Sequence, residues 1–179
     1  RSRQLKPILQ PHGTQTGTIL FEGKSLSSLS QREQSARIGF VLQNLDAQLV
    51  TDKVWHELAF GLESLGLSTP VIRRRVAEIA SFFGIQNWFY KPVCELSGGQ
   101  KQLVNLASVM ALEPSVLLLD EPTKGLDAEF KRVFARIIKR LCARGVCVIM
   151  VSHDAEFCAS YASRCAMFFD GAIVAEGTP

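Results

Sequence analysis

Val116-Leu117-Leu118-Leu119 is an unbroken apolar run that ends on two carboxylates, Asp120 and Glu121. A strand with one wet face alternates apolar and polar residues; a continuous run marks burial on both faces, the pattern of a parallel sheet. Parallel strands need long crossovers, usually helical. Ala128 to Ala143 has helical spacing with Gly145 just past its end, and Cys147 to Val151 is a second apolar segment, expected to be a buried strand. Upstream, Ser97 reads as the N-cap of a helix running to about Leu112, which Pro114 stops. The order helix, strand, helix, strand predicts an α/β fold with a parallel sheet.

The rest of the chain adds smaller elements. Thr16 to Phe21 reads as a strand with a turn at Glu22-Gly23-Lys24, and Ile38 to Leu42 as an apolar strand ending at Gln43. Val54 to Leu65 has helical apolar spacing, and Pro70 opens a helix that continues from Val71 to Phe83. Residues 54–112 are expected to be mainly helical, a subdomain beside the sheet. Arg164 to Phe169, Asp170-Gly171 and Ala172 to Ala175 predict a closing hairpin. The 179 residues suit one domain with a sizeable core.

Composition excludes little but directs attention. With 20 basic and 17 acidic residues, the net charge of +3 gives no reason to expect nucleic acid. The five cysteines form no C-x-x-C pair and have no histidine at metal-ligand spacing. They are expected to be reduced, mostly buried thiols. The longest apolar runs, such as Val146 to Val151, fall far short of the roughly 20 residues of a membrane span. The opening Arg1-Ser2-Arg3-Gln4 leads into no apolar segment, so no signal peptide is expected. A membrane role would have to come through a partner.

The chemistry concentrates where strands end. Ligands of open α/β sheets bind at the C-terminal edge of the strands, where the buried strand delivers Asp120 and Glu121. Two carboxylates there can divide the labour of phosphoryl transfer: one holds Mg²⁺, usually through water, and the other polarises the attacking water. His153, two residues past the apolar strand, can reach a phosphate oxygen or that water. Gln43 ends its strand in the same way, and its amide can bond a metal ion or water. Ser97-Gly98-Gly99-Gln100 starts a helix whose first N–H groups have no internal partners and whose dipole is positive, so an anion such as a γ-phosphate fits. A plain N-cap accounts for Ser97 but not for two glycines, each costing roughly 1 kcal/mol in a helix.

These residues together resemble the ABC-type ATPases. Leu96 to Gln102 is similar to their signature motif, Val116 to Glu121 to a Walker B strand, and Gly125-Leu126-Asp127 to a D-loop. His153 resembles the switch histidine and Gln43 the Q-loop glutamine. The similarity runs from about Leu9 to Pro179. It implies a P-loop NTPase-like ABC ATPase core with a parallel sheet, antiparallel strands and a helical subdomain, here incomplete. It implies ATP and Mg²⁺, and a head-to-tail pair with a second ATPase subunit, identical or different. Ser97 and Gly99 would then contact the opposite subunit's ATP, while Gln43, Asp120, Glu121 and His153 serve the subunit's own, with Asp120 and Gln43 at Mg²⁺ and Glu121 and His153 in catalysis; Gly98, Gln100, Asp127 and Gln43 are also expected among the nucleotide-binding residues. The ending Asp170 to Pro179 is similar to the closing hairpin of ABC importer ATPases, and Gln43 to Gln48, followed by Val54 to Leu67 with Ala59-Phe60-Gly61, resembles energy-coupling-factor and cobalt-importer ATPases. Those proteins drive vitamin or metal uptake, which implies an integral membrane partner and a place on the inner face of the cell membrane. Leu103 stands where the family commonly has arginine, and Lys124 where a small residue is usual.

A phosphate loop needs G-x-x-x-x-G-K-[ST] between strand and helix. Gly23-Lys24-Ser25 imitates its end, but Thr18 occupies the first glycine position and Thr18 to Glu22 is a strand pattern. The triplet is expected to be a hairpin turn. Leu5 to Gly17 resembles the stretch that follows the phosphate-loop helix, so the chain reads as a domain lacking its first strand and phosphate loop. Truncation or a natural degenerate subunit would both account for this, and the chain alone is expected to be inactive. The alternatives to a transport ATPase are a catalytically silent partner and a non-transport ABC ATPase acting on DNA or ribosomes. Against the last, the three arginines Arg73-Arg74-Arg75 spread over different helix faces, no long insertion separates Gln43 from Ser97, and one ATPase half is visible.

Overall fold

Glu22 and Gly23 take φ of +50° and +77°, the two left-handed positions a two-residue hairpin turn requires. They join β1 (Leu20–Phe21) to β2 (Lys24–Ser25), antiparallel with Phe21 opposite Lys24. Gly23-Lys24-Ser25 is thus turn and strand, as its sequence predicts. The strand expected from Thr16 is confined to two residues. The computed structural model describes residues 16–179, as two units divided after Gln34. His12 and the stretch from Leu5 to Gln15 lie outside the described residues. In the first unit, Ser30 and Glu33 form a reciprocal cap that opens α1 (Gln31–Arg37): Glu33 accepts from the Ser30 N–H at 2.8 Å and donates its own N–H to Ser30 Oγ at 3.3 Å.

The second unit is built on three parallel strands, β3 (Ile38–Val41), β4 (Val116–Asp120) and β5 (Cys147–Val151), with β4 in the middle. Between β3 and β4 run α2 (Leu45–Gln48), α3 (Val54–Ser64), α4 (Thr69–Phe83) and α5 (Gly98–Met110). α6 (Ala128–Ala143) crosses from β4 to β5. α7 (Ala155–Tyr161) and the hairpin β6 (Cys165–Phe169) and β7 (Ala172–Gly177) follow. Asp170 and Gly171 make that turn with φ of +48° and +79°. The short helices α1, α2 and α7 carry no periodic signal long enough to read.

Helix stripes and sheet meet in one core. Leu58 and Leu62 of α3, Leu106 of α5, Leu117 of β4 and Phe134 of α6 are all buried in a single cluster. Burying each such side chain is worth about 1.5–3 kcal/mol. Two expectations need correction. β5 is not buried on both sides: Cys147, Ile149 and Val151 are exposed, since among the described residues nothing covers that face. Nor are the cysteines mostly buried. Cys94, Cys142 and Cys147 are exposed and Cys158 and Cys165 half-buried, because they fall at element ends and on the open face of β5.

β3 approaches α5 so closely that residue 39 must be glycine. A Cβ there would lie 2.5 Å from Val109 Cγ1 and 3.0 Å from Pro114 Cγ. Neither a valine branch nor a proline ring can swing away. Gly39→Ala is expected to destabilise the chain by about 1–3 kcal/mol, read as a lower urea midpoint at unchanged slope.

Candidate functional site

Parallel pairing puts three strand ends side by side. Val41 lies opposite Leu119, and Asp120 opposite Val151. Whatever follows Val41, Leu119 and Val151 therefore emerges at one edge. A cleft of about 490 Å³ opens there, lined by Gln43, Asp120, Glu121 and His153 together with Thr123, Lys124, Lys131 and Asp154. The cis residues expected from the sequence are thus brought together.

Glu121 is the most constrained of them. Its N–H continues the sheet by donating to the Val151 carbonyl at 2.9 Å. Its φ of +48° is a left-handed value that side chains other than glycine rarely adopt, and such strain clusters at functional sites. The twist is closed by turn bonds, Lys124 N–H to Glu121 carbonyl and Leu126 N–H to Thr123 carbonyl, each 3.2 Å, around buried Thr123. The Glu121 side chain is 12% exposed, and its buried Oε1 receives no hydrogen bond although His153 Nε2 is 3.4 Å away. His153 itself is 98% exposed. A sequestered carboxylate oxygen beside a free imidazole is a pair that can bind and orient a water and a phosphate oxygen.

The loop carrying His153 is fixed by its neighbours. Asp154 caps α7, accepting from the Phe157 N–H at 3.0 Å, and receives Lys131 Nζ of α6 at 2.5 Å. Ser152 Oγ accepts from the Asp154 N–H at 3.1 Å and makes a long 3.5 Å contact to Glu121 Oε2. The Lys131 ammonium, then the Phe157 N–H, hold the Asp154 carboxyl below the usual carboxylate range. Asp154 could have been read as an N-cap ahead of Ala155-Glu156-Phe157. Lys131, 23 residues away, gave no local signal.

Ser97, Gly98, Gly99, Gln100 and Asp127 are not among the cleft residues. Ser97 and Gln100 form a full capping box: Ser97 N–H donates to Gln100 Oε1 at 2.9 Å and Gln100 N–H to Ser97 Oγ at 3.3 Å. The glycines differ. A Cβ at Gly98 would meet nothing within 4 Å, whereas at Gly99 it would sit 2.5 Å from the Phe130 ring of α6. Gly98 leaves the helix start open; Gly99 lets α6 close against α5. Asp127 caps α6 from its own side chain, accepting the Phe130 N–H at 2.8 Å.

Because the Asp154 carboxyl is held low in the folded state, its contribution to stability is present above its unfolded pKa of about 4 and lost as pH falls further. Asp154→Asn is expected to lower the melting temperature at pH 7. Its deficit should shrink towards about pH 3, when melts are compared across that range. Parallel curves would show that the ion pair contributes nothing.

A sequence model of the family described as ABC transporter matches residues 2–124. A putative ABC transporter ATP-binding protein of Bacillus cereus is 40% identical over 178 residues, covering 99% of this chain and 32% of that protein. The energy-coupling factor transporter ATP-binding protein EcfA of Methanocaldococcus jannaschii is 35% identical over 165 residues, 91% of this chain and 59% of that protein. The chain thus spans about a third of the length of the first of these relatives (32%). Among solved structures, cbiO1 from Clostridium perfringens, described as part of the ABC transporter complex cbiONQ, aligns with a TM-score of 0.84 at 30% identity, over 99% of this chain and 70% of that one.

Proposed function

Because the chain belongs to the ABC transporter family, we propose that it is the ATP-hydrolysing core of an importer subunit, coupled through a membrane partner to substrate uptake. The observation that carries this reading is the convergence of Gln43, Asp120, Glu121 and His153 on one cleft at the strand ends.

The roles follow from the surroundings of each group. Glu121, with Oε1 sequestered and unbonded, serves as the general base for the attacking water. His153, exposed beside it, holds that water or a phosphate oxygen. Lys131 and Asp154 keep the histidine loop in place. Asp120 and Gln43 supply oxygens of the kind Mg²⁺ takes. Among the described residues no three His, Cys, Asp or Glu side chains form a metal cage. That donor set fits Mg²⁺, which is commonly held by one or two carboxylates with waters and substrate phosphates. When bound, the ion neutralises charge on the transferred phosphoryl group.

Ser97, Gly98, Gly99, Gln100 and Asp127 act on the nucleotide of a second ATPase subunit in a head-to-tail pair. Their separation from the cleft and the open Gly98 edge support that assignment. The α3–α5 block is the helical subdomain of a single ATPase domain. The importer class is supported by the likeness to EcfA and to a component of the cbiONQ complex. Among the described residues no helix is long and apolar enough to cross a membrane. The likeness to EcfA and to a component of the cbiONQ complex supports attachment through a membrane partner, on the inner face of the cell membrane.

Glu121→Gln in the full-length protein tests the reading. ATP turnover is expected to fall by about 10²–10⁴-fold while nucleotide binding persists, so ATP-bound dimers accumulate on size exclusion. Hydrolysis at the wild-type rate would remove Glu121 as the base. Co-purification with nucleic acid instead of a membrane protein would overturn the importer class.

A further inference from the structure

The segment from Leu42 to Thr51 joins β3 to α3 and carries Gln43 near its start. It contains only one short helical turn, α2, yet side chains hold it at both ends. At the far end the buried carboxylate of Glu57 accepts the N–H groups of Val50 at 3.1 Å and Thr51 at 2.9 Å. At the near end Gln48 folds back on β3. Its Oε1 accepts the Leu42 N–H at 2.8 Å, and its Nε2 donates to the Phe40 carbonyl at 2.7 Å. The side-chain amide stands in for a peptide group of a further strand, satisfying the backbone where β3 gives way to Gln43.

A third bond reaches this amide from a distant element. Asn105 of α5, fully buried, donates from Nδ2 to Gln48 Oε1 at 3.0 Å. The orientations are dictated in sequence. An N–H at Leu42 and a carbonyl at Phe40 fix which way Gln48 points, and Gln48 Oε1 then requires a donor from Asn105. Asn105 Oδ1 is consequently left buried without a partner. An unsatisfied buried acceptor costs stability, and an aliphatic residue would fill the same space without that cost. Packing alone therefore gives no reason for asparagine at this position.

We propose that Gln48 and Asn105 are positioning residues that set Gln43 in the cleft by tying the end of β3 to α5. This rests on the ATPase reading for what Gln43 does, but the link itself does not depend on catalysis. α5 begins at Ser97-Gly98-Gly99-Gln100, so one helix bears the capped glycine turn at its start and the grip on the Gln43 segment two turns later.

The test uses the full-length protein with Gln48→Ala, Asn105→Ala and the double variant. Each single substitution is expected to lower kcat for ATP about tenfold with little change in KM. Each should also raise the Mn²⁺ concentration needed for half-maximal activity. The double variant should be no worse than the poorer single, because both break one link. Losses that multiply in the double overturn the proposal. So does a uniform loss that follows melting temperature while the Mn²⁺ dependence stays fixed. Gln48→Glu keeps size and both acceptor roles but sets a carboxylate oxygen against the Phe40 carbonyl, and it serves if the alanine variants do not fold. Amide exchange separates this proposal from the ATPase reading. Wild-type protein that hydrolyses no ATP sinks that reading alone. The link is then judged by the Leu42 amide, which should exchange about tenfold faster in the Gln48 and Asn105 variants while the Leu117 amide does not change. Unaltered Leu42 exchange overturns the link.

Discussion

The parallel register of β3, β4 and β5 is the constraint on which the site depends. Antiparallel pairing of the same strands would send Gln43, Asp120 and His153 to opposite edges. Parallel pairing, with Val41 beside Leu119 and Asp120 beside Val151, brings them to one. That register is bought by helices, since each parallel strand must be regained through a crossover. The crossovers then do a second job. α6 reaches back with Lys131 to fix Asp154 next to His153, and α5 reaches back with Asn105 to the end of β3. The helices that make the sheet possible also position the residues at its edge.

Two of the close approaches in the fold are made possible by glycine, and they differ in kind from the glycines of turns. Gly39 and Gly99 have no positive φ; they are small because Val109 and Phe130 occupy the space a Cβ would need. The first seats α5 on β3, and the second seats α6 on α5. Both contacts bear on the same helix, so the position of Ser97 at its start is set by packing as well as by its own capping box. The helix start is thus held by contacts within this chain, before any ligand is considered.

Much of this was legible because it is local. Helical spacing located α3, α4 and α6, the Ser97 cap and Pro114 stop located α5, and the Asp-Gly and Glu-Gly turns located both hairpins. Gln43, Asp120, Glu121 and His153 were legible as strand-terminal residues once the strands were read as parallel. What escaped was set by partners far along the chain. The Lys131–Asp154 and Gln48–Asn105 bonds span 23 and 57 residues and have no periodic signature. The same limit explains the errors on burial. An apolar run such as Cys147 to Val151 reports that a strand suits two packed faces, not whether a neighbour covers both. The outward face of β5 is open among the described residues. The cysteines follow, since their hydrophobic character says nothing of which end or edge they occupy.

Glu121 shows why strain and desolvation belong together at this edge. Burying a carboxylate oxygen without a hydrogen bond is unfavourable, as is a left-handed backbone at a residue with a side chain. Either could be relieved by a small change. An extended φ would swing the carboxylate away. The fold instead holds the residue by its N–H on Val151 and its carbonyl on Lys124. The backbone bonds on either side are thus made at the expense of the side chain between them, which remains an acceptor in want of a donor. Ser152 Oγ reaches only Oε2, at 3.5 Å, so Oε1 faces the exposed imidazole of His153 at 3.4 Å with no hydrogen bond of its own.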